Sequence, residues 1–307
     1  MRWPVPEGAS ELANLLMSFP GVIGVFWSQR RREGEWLRQR CLSIHVRWKR
    51  PPELLPVSEM LPDRLSPFEL DVIEVGLPRV HALSQTDTVA VDGLARPRFA
   101  TMTALAPTDE SVLMLLSGHA ALPVRNNRIF TDYGPGAPQA FVRVNDEDGS
   151  WYRGILRHGE LGEGRPVDWA LAEVFNVPDA VPFHYGTRDT PPFALRTSPL
   201  QGGELVSHFS RTRDRLVKGT LRGVAQTPVE LLLPDGRTTT YSDVLTVESS
   251  PEVDFSRDGD SGSLVVDSNR KAIGTMLGAS ADYSMAYVLQ MTPLLARLGR
   301  YRPYFFL

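Results

Sequence analysis

Apolar residues along this chain recur mostly with a period of two, the signature of strands that bury one face. Leu42, Ile44, Val46 and Trp48 alternate with Ser43, His45 and Arg47, and Val22 to Trp27 is a second β-rich run. The polar connection holding Glu33-Gly34 joins the two as a hairpin, and residues 70–75 add a third strand. Ahead of them, Leu12, Leu15, Leu16, Met17 and Phe19 take helical spacing over residues 10–19, with Ser10 as cap and Pro20-Gly21 as the stop. Residues 1–78 are therefore expected to form a small α+β domain. The pattern weakens over residues 76–92, where the domain junction is placed. Beyond it come short strands over residues 99–105, 112–116, 140–144, 167–172, 204–209, 217–224, 229–233, 238–241, 244–247, 263–266, 272–277 and 284–290. Met291 to Leu298 reads as a closing helix, with Thr292 the cap and Pro293 at its first position. Residues 79–307 are thus expected to be a mainly β domain, and no internal repeat or low-complexity tract interrupts them.

Composition narrows the class. Of 307 residues, 42% are hydrophobic and 22% charged, with a formal net charge of −3, so nothing general draws the chain to nucleic acid. The single cysteine, Cys41, excludes an intrachain disulfide and favours a cytoplasmic setting. The apolar run from Leu12 to Val25 is broken by Pro20 and Gly21, lacks a small-residue cleavage site and is too short for a membrane span. The N-terminal hairpin is basic (Arg30, Arg31, Arg32, Arg38, Arg40, Arg47, Lys49 and Arg50), with Trp27, Trp36 and Trp48 interleaved. We read it as a solvated face whose arginines pack on the tryptophans, with a partner surface for nucleic acid or an acidic protein as the competing reading.

The chemistry concentrates at Asp258-Gly259-Asp260-Ser261-Gly262-Ser263, which runs straight into Leu264-Val265-Val266. A serine between glycines on a tight turn can expose its hydroxyl, and the turn's amides can converge on a developing oxyanion. The bland alternative is a Gly/Ser turn between strands. The G-x-S-x-G elbow of α/β-hydrolases fits less well, because Ser263 stands where its last glycine would be. A serine nucleophile needs a base and a group to orient that base. Ser117-Gly118-His119-Ala120-Ala121 follows an apolar strand. His45, His81, His158, His184 and His208 compete with His119, in strand-like patterns or connections. Asp168 opens the run Asp168-Trp169-Ala170-Leu171, with Asp132 and Asp146 as rivals.

The serine hexapeptide resembles the nucleophile motif of trypsin-like, chymotrypsin-fold serine proteases, and the His and Asp contexts resemble that family's base and orienting acid. The order is His, Asp, Ser, at separations of 49 and 93 residues, against about 45 and 93 in the protease template. The resemblance covers about residues 80–300. It implies a double β-barrel behind the α+β domain, and a serine endopeptidase working through an acyl-enzyme. Ser261 is then the nucleophile, His119 the base and Asp168 its orienter, with the amides of Gly259 and Ser261 as the oxyanion hole. Phe255 is implied as the floor of the specificity pocket, Met276, Leu277, Gly278 and Ala279 as its wall, with Asp258 close by; no acid on the floor argues against a Lys or Arg preference. No metal or cofactor is implied, and the partner is a protein or peptide substrate. The family's zymogen switch pairs a new N-terminus with the acid before the serine, here Asp260, so another partner or a cleavage near residues 76–92 is expected. The layout resembles stand-alone bacterial trypsin-like effectors, including those of defence systems. From it we expect residues 1–78 to gate activity or recruit a regulatory partner. The rival from another class is a silent protease-fold binding protein, and a third reading is an esterase with the same triad.

Overall fold

The period-two runs become strands, and the strands close on one another. A computed structural model describes residues 4–32, 35–61, 64–65, 67–80, 89–92, 98–108, 110–122, 124–125, 128–129, 141–145, 151–162, 167–175, 193–234 and 236–306. The N-terminal part holds α1 (Ala9–Leu16), β1 (Val22–Arg32), β2 (Glu35–Val46), β3 (Arg64–Leu65), β4 (Phe68–Glu74) and β5 (Arg79–Val80). A first β unit follows: β6 (Val89–Asp92), β7 (Arg98–Ala100), β8 (Met102–Pro107), β9 (Val112–Leu116), the single-turn α2 (Gly118–Ala121), β10 (Val124–Arg125), β11 (Arg128–Ile129), β12 (Phe141–Asn145), β13 (Trp151–Leu161) and β14 (Asp168–Val174). The second unit holds β15 (Leu205–Ser210), β16 (Arg215–Ala225), β17 (Val229–Leu232), β18 (Thr238–Tyr241), β19 (Val244–Glu248), β20 (Leu264–Asp267), β21 (Ala272–Ala279) and β22 (Met285–Gln290). Two helices close the chain, α3 (Met291–Leu298) and α4 (Arg302–Phe305). The mainly β class is as expected. Among the described residues no helix is long and apolar enough to cross a membrane.

In the second unit, β15, β16, β19, β22, β21 and β20 pair antiparallel in a complete circuit, a closed six-stranded barrel. The first unit is a seven-stranded antiparallel sheet in the order β7-β6-β12-β13-β14-β9-β8. Its two outermost strands are consecutive in the chain, joined through Thr101, so the sheet must curl round on itself. The strand β9 shows why its sequence is apolar without alternation. Met114 and Leu116 enter one core while Leu113 and Leu115 enter another, which β20, α3 and α4 complete.

The N-terminal elements are not held by a tether alone. The strand β1 pairs with β16 at Phe26↔Ala225, Trp27↔Val224 and Ser28↔Gly223, so one sheet runs from the barrel through β1, β2 and β4. Ala9, Leu16, Val25, Trp27, Leu42 and Ile44 share a core with Val217, Leu221, Val247, Val265 and Ile273 of the barrel. Two polar links cross the same boundary: a buried one from His45 Nδ1 to the Tyr287 hydroxyl at 2.9 Å, and a partly buried one from Arg222 to Asp71 at 2.9 Å.

Several sequence expectations need correction. Gly8, at φ 81°, is the N-cap of α1, and Ser10 sits inside the helix, where its hydroxyl donates to Gln226. Gln290, not Thr292, is the N-cap of α3. His158 lies within β13, a strand missing from the expected set, which placed only residues 140–144 between positions 123 and 165. The strand β6 falls inside the span read as a patternless junction. Asp132, Asp146, His81 and His184 lie outside the described residues.

Candidate active site

His119 stands on α2, just after β9 ends. Asp168 opens β14, which pairs with β9 from Ala170↔Leu116 onward, so the ladder brings the acid beside the short helix. The carboxylate grips the histidine twice. Oδ1 accepts the His119 backbone N–H at 2.7 Å, and Oδ2 accepts from Nδ1 at 2.6 Å. A carboxylate can only accept, so Nδ1 carries the proton of this bond, and the other ring nitrogen, Nε2, is left outside it. Both side chains are buried, at 0% and 1% exposure, where such a bond is least weakened by water. Gly118 makes the approach fit: a Cβ there would stand 2.6 Å from the Glu160 carbonyl oxygen and 3.0 Å from Asp168 Oδ1. Tyr241 packs nearby, its hydroxyl pushed well above its ordinary pKa by burial and then by the charge of Asp168.

Ser261 occupies the turn that leads into β20. Gly259 and Gly262 take φ of 93° and 87°, the left-handed region that a side chain resists. At Gly262 a Cβ would also meet the Thr101 carbonyl oxygen at 2.4 Å. The turn is tied to β21 by Gly262 N–H to the Met276 carbonyl and Met276 N–H to the Ser263 carbonyl, both 2.9 Å. The first unit holds it from the other side. Thr101 N–H donates to the Ser261 carbonyl at 3.2 Å, Thr101 Oγ1 to that of Gly259 at 2.5 Å, and Thr103 Oγ1 to that of Gly262 at 2.7 Å. The residue at which the first sheet closes is therefore the residue that clamps the serine turn. The Ser261 hydroxyl itself donates to the Leu277 carbonyl at 2.9 Å. Among the described residues, no acceptor is paired with the amides of Gly259 and Ser261, both buried on the turn.

Asp260 is fully buried and finds an internal cation. Arg213 Nη2 donates to its Oδ2 at 2.8 Å, the Ser210 hydroxyl to Oδ1 at 2.7 Å and the Arg257 N–H to Oδ2 at 3.0 Å. The same guanidinium reaches Ser210 Oγ through Nε at 2.8 Å, the Asp254 carbonyl through Nη1 at 2.5 Å and the Phe255 carbonyl through Nη2 at 3.2 Å. One side chain thus staples the segment 254–260 that precedes the nucleophile. His208 lies beneath it, with Nε2 donating to the Phe255 carbonyl at 2.6 Å and its pKa lowered by burial against the opposing pull of Asp260.

The implied pocket residues fall in three places. Met276, Leu277 and Gly278 lie on β21 beside the serine turn. Phe255 is fully buried and packs edge-on against His208 at 4.8 Å between ring centres. Asp258 is exposed beside Gly259. Arg213, Ser210, Thr101 and Thr103 were not singled out from the sequence; none sits in a motif, and each acts across a long chain separation. In the basic hairpin, Arg30 pairs with Glu69 at 3.0 Å, Arg47 with Glu230 at 2.7 Å, and Arg50 lies 5.5 Å over the Trp48 ring. Among the described residues no group of three or more His, Cys, Asp or Glu side chains is arranged to hold a metal.

No protein-family model matches the chain, and no curated protein does. Solved structures do. The Rv3671c protease of M. tuberculosis in its active form gives a TM-score of 0.40 at 17% identity, over 70% of this chain and 80% of that one. The MamO protease domain of Magnetospirillum magneticum in its apo form gives 0.39 at 12%, over 69% and 96%. Deg5 gives 0.36 at 13%, over 69% and 87%. The solved structures that this chain resembles are thus trypsin-like serine proteases.

Proposed function

We propose that the chain is a serine endopeptidase in which His119, Asp168 and Ser261 act as one unit. The observation that supports it most is the double grip of Asp168 on His119, which fixes the tautomer a general base needs. The Ser261 hydroxyl leaves the Leu277 carbonyl by rotating about χ1, and Oγ attacks the scissile carbonyl while its proton passes to His119 Nε2. The carbonyl oxygen gains the negative charge, which the amides of Gly259 and Ser261 receive. His119 returns the proton to the departing amine, leaving an acyl-enzyme. Water then repeats the sequence with His119 as base, releasing the acid and restoring the serine. Asp168 stays ionised and stabilises the imidazolium at each stage.

The substrate is a protein or peptide, and residues 1–78 regulate access or recruit the partner. A reducing, cytoplasmic setting accords with the lone, buried Cys41. The test is labelling of the intact protein by a fluorophosphonate probe. Wild type is expected to label, while Ser261→Ala and His119→Ala do not. Asp168→Asn, which removes the tautomer control, is expected to label about 10⁴-fold more slowly. Labelling that survives Ser261→Ala, or a folded wild type that never labels, would sink the proposal.

A further inference from the structure

Strand β20 pairs with β21 from Val266 to Leu264, and the bonds of Ser263 and Gly262 to Met276 carry that contact two residues further. At Ser261 the chain turns off this edge, its hydroxyl on the Leu277 carbonyl. The next two positions of the same edge, Gly278 and Ala279, do not face solvent. They pair antiparallel with Val80 and Arg79 of β5, in line with the β20 ladder and immediately beyond the nucleophile. The other side of β5 is paired as well: Leu232↔Arg79 is a parallel pair with β17, and Leu232 N–H donates to the Pro78 carbonyl at 2.8 Å. The chain leading to it follows β21 outward, with Ala281 N–H on the Val75 carbonyl at 3.1 Å and Gly76, at φ 66°, pressed against Ala281.

A peptide cleaved at Ser261 must arrive extended, and an extended peptide docks by adding a strand to an open sheet edge. Beside the nucleophile, the edge that offers this is β21 at Gly278–Ala279. We propose that residues 75–80 of the same chain are the resting occupant of this edge, a built-in strand that must leave before a peptide can bind. The proposal rests on the peptidase reading above. It gives the linker between the N-terminal elements and the first β unit a definite role: whatever moves the linker sets access to the site.

The test uses the full-length protein and two readouts. A small fluorophosphonate needs Ser261 and His119 but no docked strand, whereas cleavage of fluorescein-labelled casein needs the β21 edge. Val80→Pro removes a ladder donor from β5. It is expected to label at the wild-type rate yet cleave casein with a KM roughly tenfold lower, since a larger fraction of molecules is open to substrate. Val80→Gly, which weakens the strand without a proline, should shift KM in the same direction and serves if the proline variant does not fold. Equal labelling with unchanged casein kinetics in the variants would overturn the proposal, making β5 an ordinary sheet strand. If a folded wild type never labels, the peptidase reading itself fails, an outcome distinct from the loss of strand control.

Discussion

Arg213 supplies the charge that a fully buried Asp260 requires, so cutting the chain to create a cationic N-terminus is not needed to neutralise it. Replacing Arg213 by Met leaves that carboxylate uncompensated, an error that typically costs about 3–5 kcal/mol. We expect a large drop in melting temperature and a fall in kcat, because the same guanidinium orders the segment before the nucleophile. Arg213→Lys should recover part of the stability and less of the rate, since an ammonium restores charge but not the four-way fork. Unchanged melting and turnover in the Met variant would count against this role. A second residue-scale consequence concerns acid. Burial drives the His45 pKa down to about 3, so the unfolded state, with a value near 6.5, binds the proton first as pH falls. Stability is therefore present above about pH 6.5 and lost progressively toward pH 3, at roughly 1.4 kcal/mol per unit at most. His208 is lowered too and adds its own slope. Urea unfolding at pH 7 and pH 5 should show a smaller difference for His45→Gln than for wild type.

At the scale of elements, alternation revealed β15 and β17, which keep one face less buried, whereas β20, β21 and β22 are buried along their whole length and read as continuous apolar runs. The run Val229 to Leu232 and its partner Thr238–Tyr241 fall where the pattern placed them. The strand β13 was hidden because Arg153, Gly154, Arg157, His158 and Gly159 give it turn-like composition; its pairing with β12 on one side and β14 on the other makes it a strand. Helix caps were misplaced for a related reason. Ser10 and Thr292 have the right chemistry, but the chain enters each helix earlier, at Gly8 and Gln290. Of the site, the local motifs around His119, Asp168 and Ser261 were legible. The tie from Asp260 to Arg213 was not, because an ion pair between residues so far apart leaves no local pattern. The threonine clamp at Thr101 and Thr103 was equally silent, since it depends on how one sheet meets the other.

For the whole molecule, the continuous sheet and shared core predict that the N-terminal elements and the barrel melt together. Calorimetry should find them in one cooperative transition, and a chain beginning at residue 79 should be insoluble or molten, because Val217, Leu221 and Val247 lose the core they share with Val25 and Leu42. A separate, low-temperature transition for residues 1–78 would contradict this. Regulation is then better served by the short β5 than by detaching a whole domain. Its covalent attachment sets the terms of competition. A segment linked to its own binding edge acts at an effective concentration on the order of millimolar, far above a peptide supplied at micromolar levels. Short peptides should therefore be poor competitors, while a protein held at a second point on the molecule gains a local concentration of its own. Selectivity would follow from being anchored rather than from the side chain at the cleaved bond.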